Sequence, residues 1–511
     1  MRRIVCVTTH LSQCNGFSST IVKPVKLEYA VNLFIVVMVV RMSRETVGNK
    51  NPRYRGLDAL RGIAMLLGIL LHASIPYFSK LLNIEWMWPA DDDQSVPLLL
   101  MMDFIHVWRM PLFFLLAGFF AHLLLERRGL KTLILNRVTH IGLPLLIFGT
   151  ATALLVPFLW AYGWTGSFDL QSLKNIGDIG LDLKSSGGLI AHLWFLYYLL
   201  LLYSVIIIAK SLWSAKSSLI LIFMSWCIFL CALIYAYGIG PLEGIGIFKA
   251  FSLLVITGVV AALITIAGFA TGLIRIVFRP TFVHYVSAVI YSRIPIVLAL
   301  GAVILLILRA ENESKPIWPV NIPDLMYTAL FFFYGFGLWK RRDLINLLTR
   351  SSSLVLLWIS STIVYFGHLI LSGISDSLKA AGNTGQLEFF SLLNNLFYGF
   401  SAALLSIALL GTFEAVMTGR NSRWQRWLAD SSYWIYIMHL PVVAFFTFWL
   451  AHADRSGFLL THTGLNWTAE SKFLVSCSLT ITLGLLSYRY FVRYTPVGTL
   501  LNGKRVKHND S

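Results

Sequence analysis

The chain has few charged residues and almost no cysteine. Asp, Glu, Lys and Arg make up 13% of its 511 residues, 57% are hydrophobic, and the mean hydropathy is +0.73. This composition lies far outside that of soluble domains. Apolar runs recur along the chain instead, so the sequence predicts a polytopic protein embedded in a lipid bilayer.

Other common signatures are absent as well. The five cysteines include no CxxC pair, and Cys227 and Cys231, one helical turn apart, suit neither a disulfide nor a metal site. We find no internal repeat, no low-complexity tract and no glycine-rich phosphate loop after a strand. No metal site is therefore predicted.

Apolar stretches of about 20 residues predict about twelve spans, with a range of about ten to twelve. They begin near Leu57, Phe104, Arg137, Leu189, Leu219, Phe248, Ser287, Leu325, Leu354, Leu392, Tyr433 and Phe473. The stretch at residues 325–339 is short, which suits a tilted or re-entrant segment. The predicted fold class is all-α, a transmembrane helical bundle.

The formal net charge of +17 comes from 41 Lys and Arg against 24 Asp and Glu. Basic residues concentrate in every second loop, and most acidic residues lie in the loops between. This alternation follows the positive-inside rule, predicts that both termini are cytoplasmic and argues against a nucleic-acid partner. The basic loops include Arg127, Arg128, Lys131, Lys210, Lys216, Arg275, Lys340, Arg341, Arg420 and Arg423.

The first 52 residues do not fit this plan. Their apolar run at residues 30–40 is too short to span a bilayer comfortably and makes a weak signal peptide. Met42 is a suitable start just before the first span, so residues 1–41 are predicted to be either a misassigned start or a disordered arm, within an N-terminal arm of residues 1–52. Residues 53–493 then form the membrane domain, and residues 494–511 form a cytoplasmic tail.

Three ionisable residues share the first span, residues 57–78. Arg61 lies eleven positions before His72, which puts the two side chains on one helical stripe about 16 Å apart along the axis. Asp58 lies on the same side and is expected to pair with Arg61. Charge within a bilayer is costly unless it faces a protein interior or a wet cavity, so we expect a functional site. The alternative is a snorkelling Arg61 and a hydrogen-bonded core His72.

The second span opens with Asp103, His106 and Arg109, which we expect to line one face near the outer leaflet, level with His72. They are either a self-paired interfacial cluster or a substrate-facing pocket. In the second case, Arg109 would hold a carboxylate or polarise a carbonyl.

Basic residues follow at the cytoplasmic end of this span, namely Arg127, Arg128, Lys131, Arg137 and His140. They either orient the protein in the membrane or hold the phosphates of a soluble anionic donor.

Isolated histidines mark three later segments. His192 precedes Trp194 in a pattern that suits an interfacial aromatic belt. His439 stands before Pro441 in the eleventh span, and His368 lies in the ninth. A lone intramembrane histidine is more often a satisfied core group, but His439 is kept as a candidate substrate-binding residue.

These residues resemble the acyltransferase-3 family of integral membrane O-acyltransferases. The family's first-span mark is an arginine, ten residues and a histidine, matched here by Arg61 and His72. The stretches RGLDALRG, HVWRMPLFFLLAGFF, HLWFLYYLLLLY and SSYWIYIMHLP are similar to the branch that succinylates osmoregulated periplasmic glucans. The similarity runs from about Arg53 to Arg493.

The resemblance implies an enzyme of the bacterial inner membrane that uses cytoplasmic acyl-coenzyme A, binds no cofactor, and acylates a periplasmic or surface glycan. The family often carries two arginines three apart before the third span, associated with the donor. Here that spacing gives Arg137 and His140, which implies either a tolerated change, weaker donor affinity or a different donor.

O-acyl transfer needs a base, for which His72 is suited because histidine titrates near neutral pH. Arg61 would position the donor and Asp58 would fix Arg61, with direct transfer and an acyl-enzyme both left open. The nearest alternative is acetylation of an exopolysaccharide or the O-antigen. A twelve-span secondary transporter and a family member without catalysis are alternatives from other classes.

Overall fold

The computed structural model describes residues 54–168 except 83 and 85–87, and residues 191–213, 222–230, 257–268, 294–311, 322–417 and 423–503. Within these ranges the chain is helical and contains no strand, which confirms the all-α prediction. The predicted arm, its Met42 start, the last residues of the tail and parts of the spans predicted from Leu219, Phe248 and Ser287 lie outside the described residues.

The main helices are numbered here in chain order. They are α1 (Arg55–Ser74), α2 (Val96–Arg137), α3 (Leu143–Thr165), α4 (Trp194–Trp213), α5 (Ile294–Glu311), α6 (Ile322–Leu338), α7 (Asp343–Leu348), α8 (Ser351–Ala380), α9 (Thr384–Met417), α10 (Arg423–Arg455), α11 (Phe458–Thr463), α12 (Ala469–Ser487) and α13 (Pro496–Asn502). A shorter apolar helix covers Thr257–Gly268.

Seven helical stretches among the described residues are long and apolar enough to cross a membrane. One of them, Val96–Thr165, is 70 residues long and contains α2 and α3, so it accommodates two of the predicted spans. Helix α6 has 17 residues, in line with the short stretch seen in the sequence. The total number of spans therefore stays a prediction, as does the side of the membrane on which each terminus lies.

Helix α1 lies at the centre of the site region and packs against α2, α9, α10 and α12. Its sequence favours a helix, because leucine and alanine are its most frequent strong helix formers and Asp58 stands in the first turn, where negative charge is favourable. It ends at Ser74, two residues before Pro76, and a short 3₁₀ turn follows at Ile75–Tyr77.

Two glycines allow α2 and α6 to approach each other closely. A Cβ atom added to Gly118 would lie 1.8 Å from the carbonyl oxygen of Phe332, and one added to Gly335 would lie 1.9 Å from that of Leu115. Only hydrogen fits at these positions, so the contact requires glycine on both helices.

A buried lysine ties the loop after α1 to α10 and α12. The Nζ atom of Lys472 donates to Asp91 Oδ1 at 2.7 Å, Asp93 Oδ2 at 2.9 Å and Asp454 Oδ2 at 2.6 Å. These carboxylate oxygens lie within 4.8 Å of one another, a spacing that metal sites share, but here the ammonium group bonds to all three. The network fixes the loop that carries Trp88 over the end of α1.

Candidate active site

Three histidines from three separate helical segments meet at the end of α1. The ring centroid of His72 lies 5.1 Å from that of His439 and 6.5 Å from that of His192, and the latter two are 4.9 Å apart. We call these residues the histidine cluster. His192 and His439 are buried, whereas His72 remains partly accessible. Buried polar groups in such a cluster need partners, and the backbone supplies some of them.

Backbone carbonyls orient two of the three imidazoles. His439 Nδ1 lies 2.6 Å from the carbonyl oxygen of Tyr436, one helical turn earlier. His192 Nε2 lies 3.0 Å from the carbonyl of Ile437 and 3.2 Å from that of Tyr436. The Tyr436 hydroxyl donates to the His192 carbonyl at 3.0 Å, so α10 and the turn before α4 are joined in both directions.

A buried guanidinium lies beside the histidine cluster. Arg109 of α2 is 6% exposed, its Nε has no hydrogen-bond partner, and it forms no salt bridge within the described part of the chain. A Cβ added to Gly68 of α1 would lie 3.0 Å from Arg109 Nη2 and 3.3 Å from His439 Nε2, so glycine makes room for both groups. An uncompensated buried cation is costly, and the site is therefore suited to receive an anion or a developing oxyanion.

Trp88 covers the cluster from the loop after α1. Its ring stacks on His72 at a centroid distance of 5.8 Å and an interplanar angle of 9°. Trp160 and Phe448 hold Trp88 from behind, at 4.7 and 6.3 Å. This packing fixes the plane of the His72 ring.

A cavity of about 190 Å³ lies at the other end of α1. Its polar lining consists of Arg61, Arg137, His140, Tyr203 and Tyr433, together with Ser432 and Asn502. The Arg137 guanidinium stacks over the Tyr203 ring at 4.4 Å, and the Tyr433 hydroxyl donates to the carbonyl of His140 at 2.7 Å. His140 lies in a π-helical turn, Val138–Gly142, a local distortion that is frequent at functional sites.

An aromatic pair in the cavity lining lies close in sequence to residues of the histidine cluster region. Phe113 and Phe195 both line the cavity, and their rings are 5.3 Å apart. Phe113 also lies 5.9 Å from the Arg109 guanidinium, and Phe195 comes three residues after His192. The cavity lining thus includes residues that follow Arg109 and His192 by about one helical turn along the chain.

The residues predicted for the donor side divide into two groups. Arg137 and His140 line the cavity, whereas Arg127, Arg128 and Lys131 are exposed and do not line it. Asp58 lies 3.8 Å from Arg61, the pairing expected from their spacing, with both side chains partly exposed.

The three polar residues at the start of α2 do not share one environment. Arg109 lies beside the histidine cluster, and His106 is exposed. Asp103 instead accepts a hydrogen bond from Tyr365 of α8 at 3.1 Å and lies 3.5 Å from His368 Nε2. Each three-residue step falls about 60° short of a full turn, so Asp103 and Arg109 point about 120° apart. A spacing of three therefore keeps adjacent members of the series on one side of the helix, but it separates the first member from the last.

Sequence reasoning missed several members of the site. His192, interpreted as part of an aromatic belt, is instead a buried member of the cluster, and Trp88 and Tyr436 were not singled out. The one feature of the sequence that could have indicated His192 as a site residue is its position beside the otherwise apolar start of a helix. Nothing in the sequence alone placed it next to α1.

Comparison with known proteins identifies a family and several relatives to which the chain is similar. The family described as Acyltransferase domain matches residues 54–489. Glucans biosynthesis protein C of Shigella dysenteriae serotype 1 is 34% identical over 151 residues, which are 29% of this chain and 36% of that protein. The proteins of the same name from Salmonella paratyphi B and Salmonella heidelberg are each 32% identical over 160 residues, 30% of this chain and 38% of their own length.

The chain thus spans little more than a third of the length of the curated relatives it matches. No solved structure matches it. The family match, by contrast, begins at the first described residue and extends into the last long helix, so it contains every side chain of the histidine cluster and most of the cavity. The chain is a multi-pass membrane protein that belongs to the acyltransferase-3 family and carries its acyltransferase domain.

Proposed function

We propose that the protein is an O-acyltransferase of the bacterial inner membrane that moves an acyl group, preferably succinyl, from cytoplasmic acyl-coenzyme A to hydroxyls of a periplasmic glucan. One observation carries this proposal. Helix α1 places Arg61 in the wall of the cavity and His72 in the histidine cluster, about 16 Å further along its axis. A donor and an acceptor from opposite sides of a membrane need such a path.

The cavity is the proposed donor site. Arg61 and Arg137 bring two guanidinium groups to the cavity lining, which suits an anionic donor, and the rest of the lining is largely apolar. The cavity's volume suits part of the thioester arm, with the acyl end directed towards the histidine cluster, and leaves the phosphates of coenzyme A to the exposed Arg127, Arg128 and Lys131. The cavity lies near the basic loops, which the positive-inside rule places in the cytoplasm. We therefore place the opening of the cavity on the cytoplasmic side of the membrane.

His72 is the proposed general base. It removes the proton from the acceptor hydroxyl as the oxygen attacks the thioester carbonyl carbon, so a C–O bond forms and the C–S bond then breaks. The thiolate that leaves takes the proton back from His72, which balances the step. Arg109 is the group that holds the oxyanion formed between these two events.

Succinyl is preferred because Arg109 has no anionic partner of its own in the described residues. A carboxylate at the end of the acyl group would supply that partner. The names of the relatives, glucans biosynthesis protein C, support a glucan acceptor. Acetylation of an exopolysaccharide or O-antigen is the competing outcome.

The test measures acyl groups on extracted periplasmic and surface glycans by mass spectrometry, with and without the gene. We expect succinyl groups on periplasmic glucan that disappear without the gene and with His72→Ala, a loss of at least about 10²-fold in transfer. His462→Ala, which removes an exposed histidine, should leave transfer unchanged. Unaltered glycans in the deletion strain would refute acyl transfer, and acetyl groups on another glycan would refute the succinyl assignment.

Two arginine variants separate the proposed roles. Arg137→Ala should raise the KM for the acyl-coenzyme A donor, whereas Arg350→Ala, an exposed arginine at the start of α8, should not. Arg109→Ala should reduce succinyl transfer more than acetyl transfer. Equal losses for the two acyl groups would limit Arg109 to the oxyanion.

A further inference from the structure

The proton positions in the histidine cluster can be deduced from its hydrogen bonds. A carbonyl oxygen only accepts, so His439 Nδ1, 2.6 Å from the Tyr436 carbonyl, carries a hydrogen. His192 Nε2, 3.0 Å from the Ile437 carbonyl, carries one for the same reason. In their neutral forms, His439 therefore has its lone pair on Nε2 and His192 has its lone pair on Nδ1.

Both lone pairs are buried inside the cluster. Neither His439 Nε2 nor His192 Nδ1 has a hydrogen-bond partner, and the third buried, unpartnered imidazole nitrogen of the cluster is His72 Nδ1. If His72 Nδ1 also carried a lone pair, the three buried, unpartnered nitrogens would all be acceptors, and none of the three rings would supply a donor to another. A hydrogen on His72 Nδ1 removes this conflict and provides a donor to a neighbouring ring.

Of the two neighbours, His439 is the better acceptor for this hydrogen. Its ring centroid lies 5.1 Å from that of His72, against 6.5 Å for His192. The Trp88 ring, stacked at 5.8 Å, limits rotation of His72. Hydrogen bonds within active sites are often long without substrate and shorten when it binds, so the present separation suits a contact made in the reacting complex.

We infer that His439 is a positioning residue for the proposed base. Its Nε2 accepts the Nδ1 hydrogen of His72 and so leaves the reactive lone pair on His72 Nε2. The Tyr436 carbonyl thus orients His439, and His439 orients His72. His439 has here the role that an orienting carboxylate has in many hydrolases. This inference rests on the proposed function for the role of His72, but the tautomer itself does not.

The first experiment compares His439→Gln with His439→Leu in the full-length protein. Glutamine offers an acceptor oxygen near the position of Nε2, whereas leucine offers none. We expect His439→Leu to lower kcat about 10²-fold or more, with little change in the KM for the donor or the acceptor. The kcat of His439→Gln should be at least about tenfold higher than that of His439→Leu. Equal kcat values for the two variants, at equal folded fraction by thermal unfolding, would overturn the positioning role.

The second experiment does not depend on activity. Purified protein labelled with ¹⁵N-histidine is compared with the His72→Ala variant, which assigns the His72 resonances. We expect neutral His72 to show the Nδ1-protonated tautomer, and His439→Leu to shift it towards a mixture, with His462→Leu as the unaffected control. An Nε2-protonated His72 in the wild type would overturn the inference, even if transferase activity is found. A wild type without transferase activity would instead refute the proposed function.

Discussion

Replacing Lys472 by methionine should destabilise the protein by about 3–5 kcal/mol, the usual result of removing one partner from a buried ion pair. The side chains of Lys472 and Asp91 are 1% and 2% exposed, so the Asp91 carboxyl group would be left buried without its counter-ion. Asp93 and Asp454 are 48% and 30% exposed and can be rehydrated, so most of the loss comes from Asp91.

The matched control is Lys80→Met, which removes a lysine from the loop that carries Asp91. Lys80 lies 2.9 Å from Asp92, a distance similar to those in the buried network, but the two side chains are 41% and 65% exposed. An exposed pair contributes at most about 1 kcal/mol, so this variant should change stability little. The two substitutions therefore differ chiefly in burial.

The assay is reversible denaturation of the purified protein in mild detergent, followed by tryptophan fluorescence. Adding Asp91→Asn to Lys472→Met should recover part of the lost stability, because it removes the unpaired charge. Acyl transfer should fall in Lys472→Met as well, since the loop that carries Trp88 is released from α10 and α12. A free energy of unfolding within about 1 kcal/mol of that of Lys80→Met would refute the reasoning.

Three further variants test individual contacts. Gly68→Ala places a methyl group 3.0 Å from Arg109 Nη2 and should reduce acyl transfer about tenfold at unchanged expression, measured as the initial rate; an unchanged rate would show that Arg109 moves freely. Gly118→Ala should abolish folded protein in size-exclusion profiles because its Cβ would lie 1.8 Å from a carbonyl oxygen, whereas Gly373→Ala, with open space around it, should not. A hydrogen bond from a lysine keeps the pKa of Asp92 below its usual range, so its contribution to stability is present above about pH 4 and is lost as the pH falls through the lowered value. Asp92→Asn should remove that small pH dependence from acid denaturation curves, and an unchanged curve would contradict it.

The sequence was sufficient for the overall class and for part of the site. Hydropathy over a window of about 20 residues measures whether a segment is stable in the bilayer core. It therefore predicts membrane-spanning helices without knowledge of their neighbours. Arg61 and His72 lie on one helix, and their separation follows from helical geometry alone. The pairing of Asp58 with Arg61 depends on the same local spacing.

Contacts between helices required the tertiary structure. The meeting of His192 and His439 with His72 depends on how α1, α4 and α10 pack, and no spacing along the chain encodes that. The same holds for Arg137 and Tyr203, which are in contact in the cavity lining although they lie 66 positions apart in the sequence. Asp103 and Arg109 differ in environment because different helices cover the two sides of α2. The sequence by itself determined which residues are ionisable within the membrane and how they are spaced on each helix; the tertiary structure decided which of them face one another, because that depends on packing between segments distant in the chain.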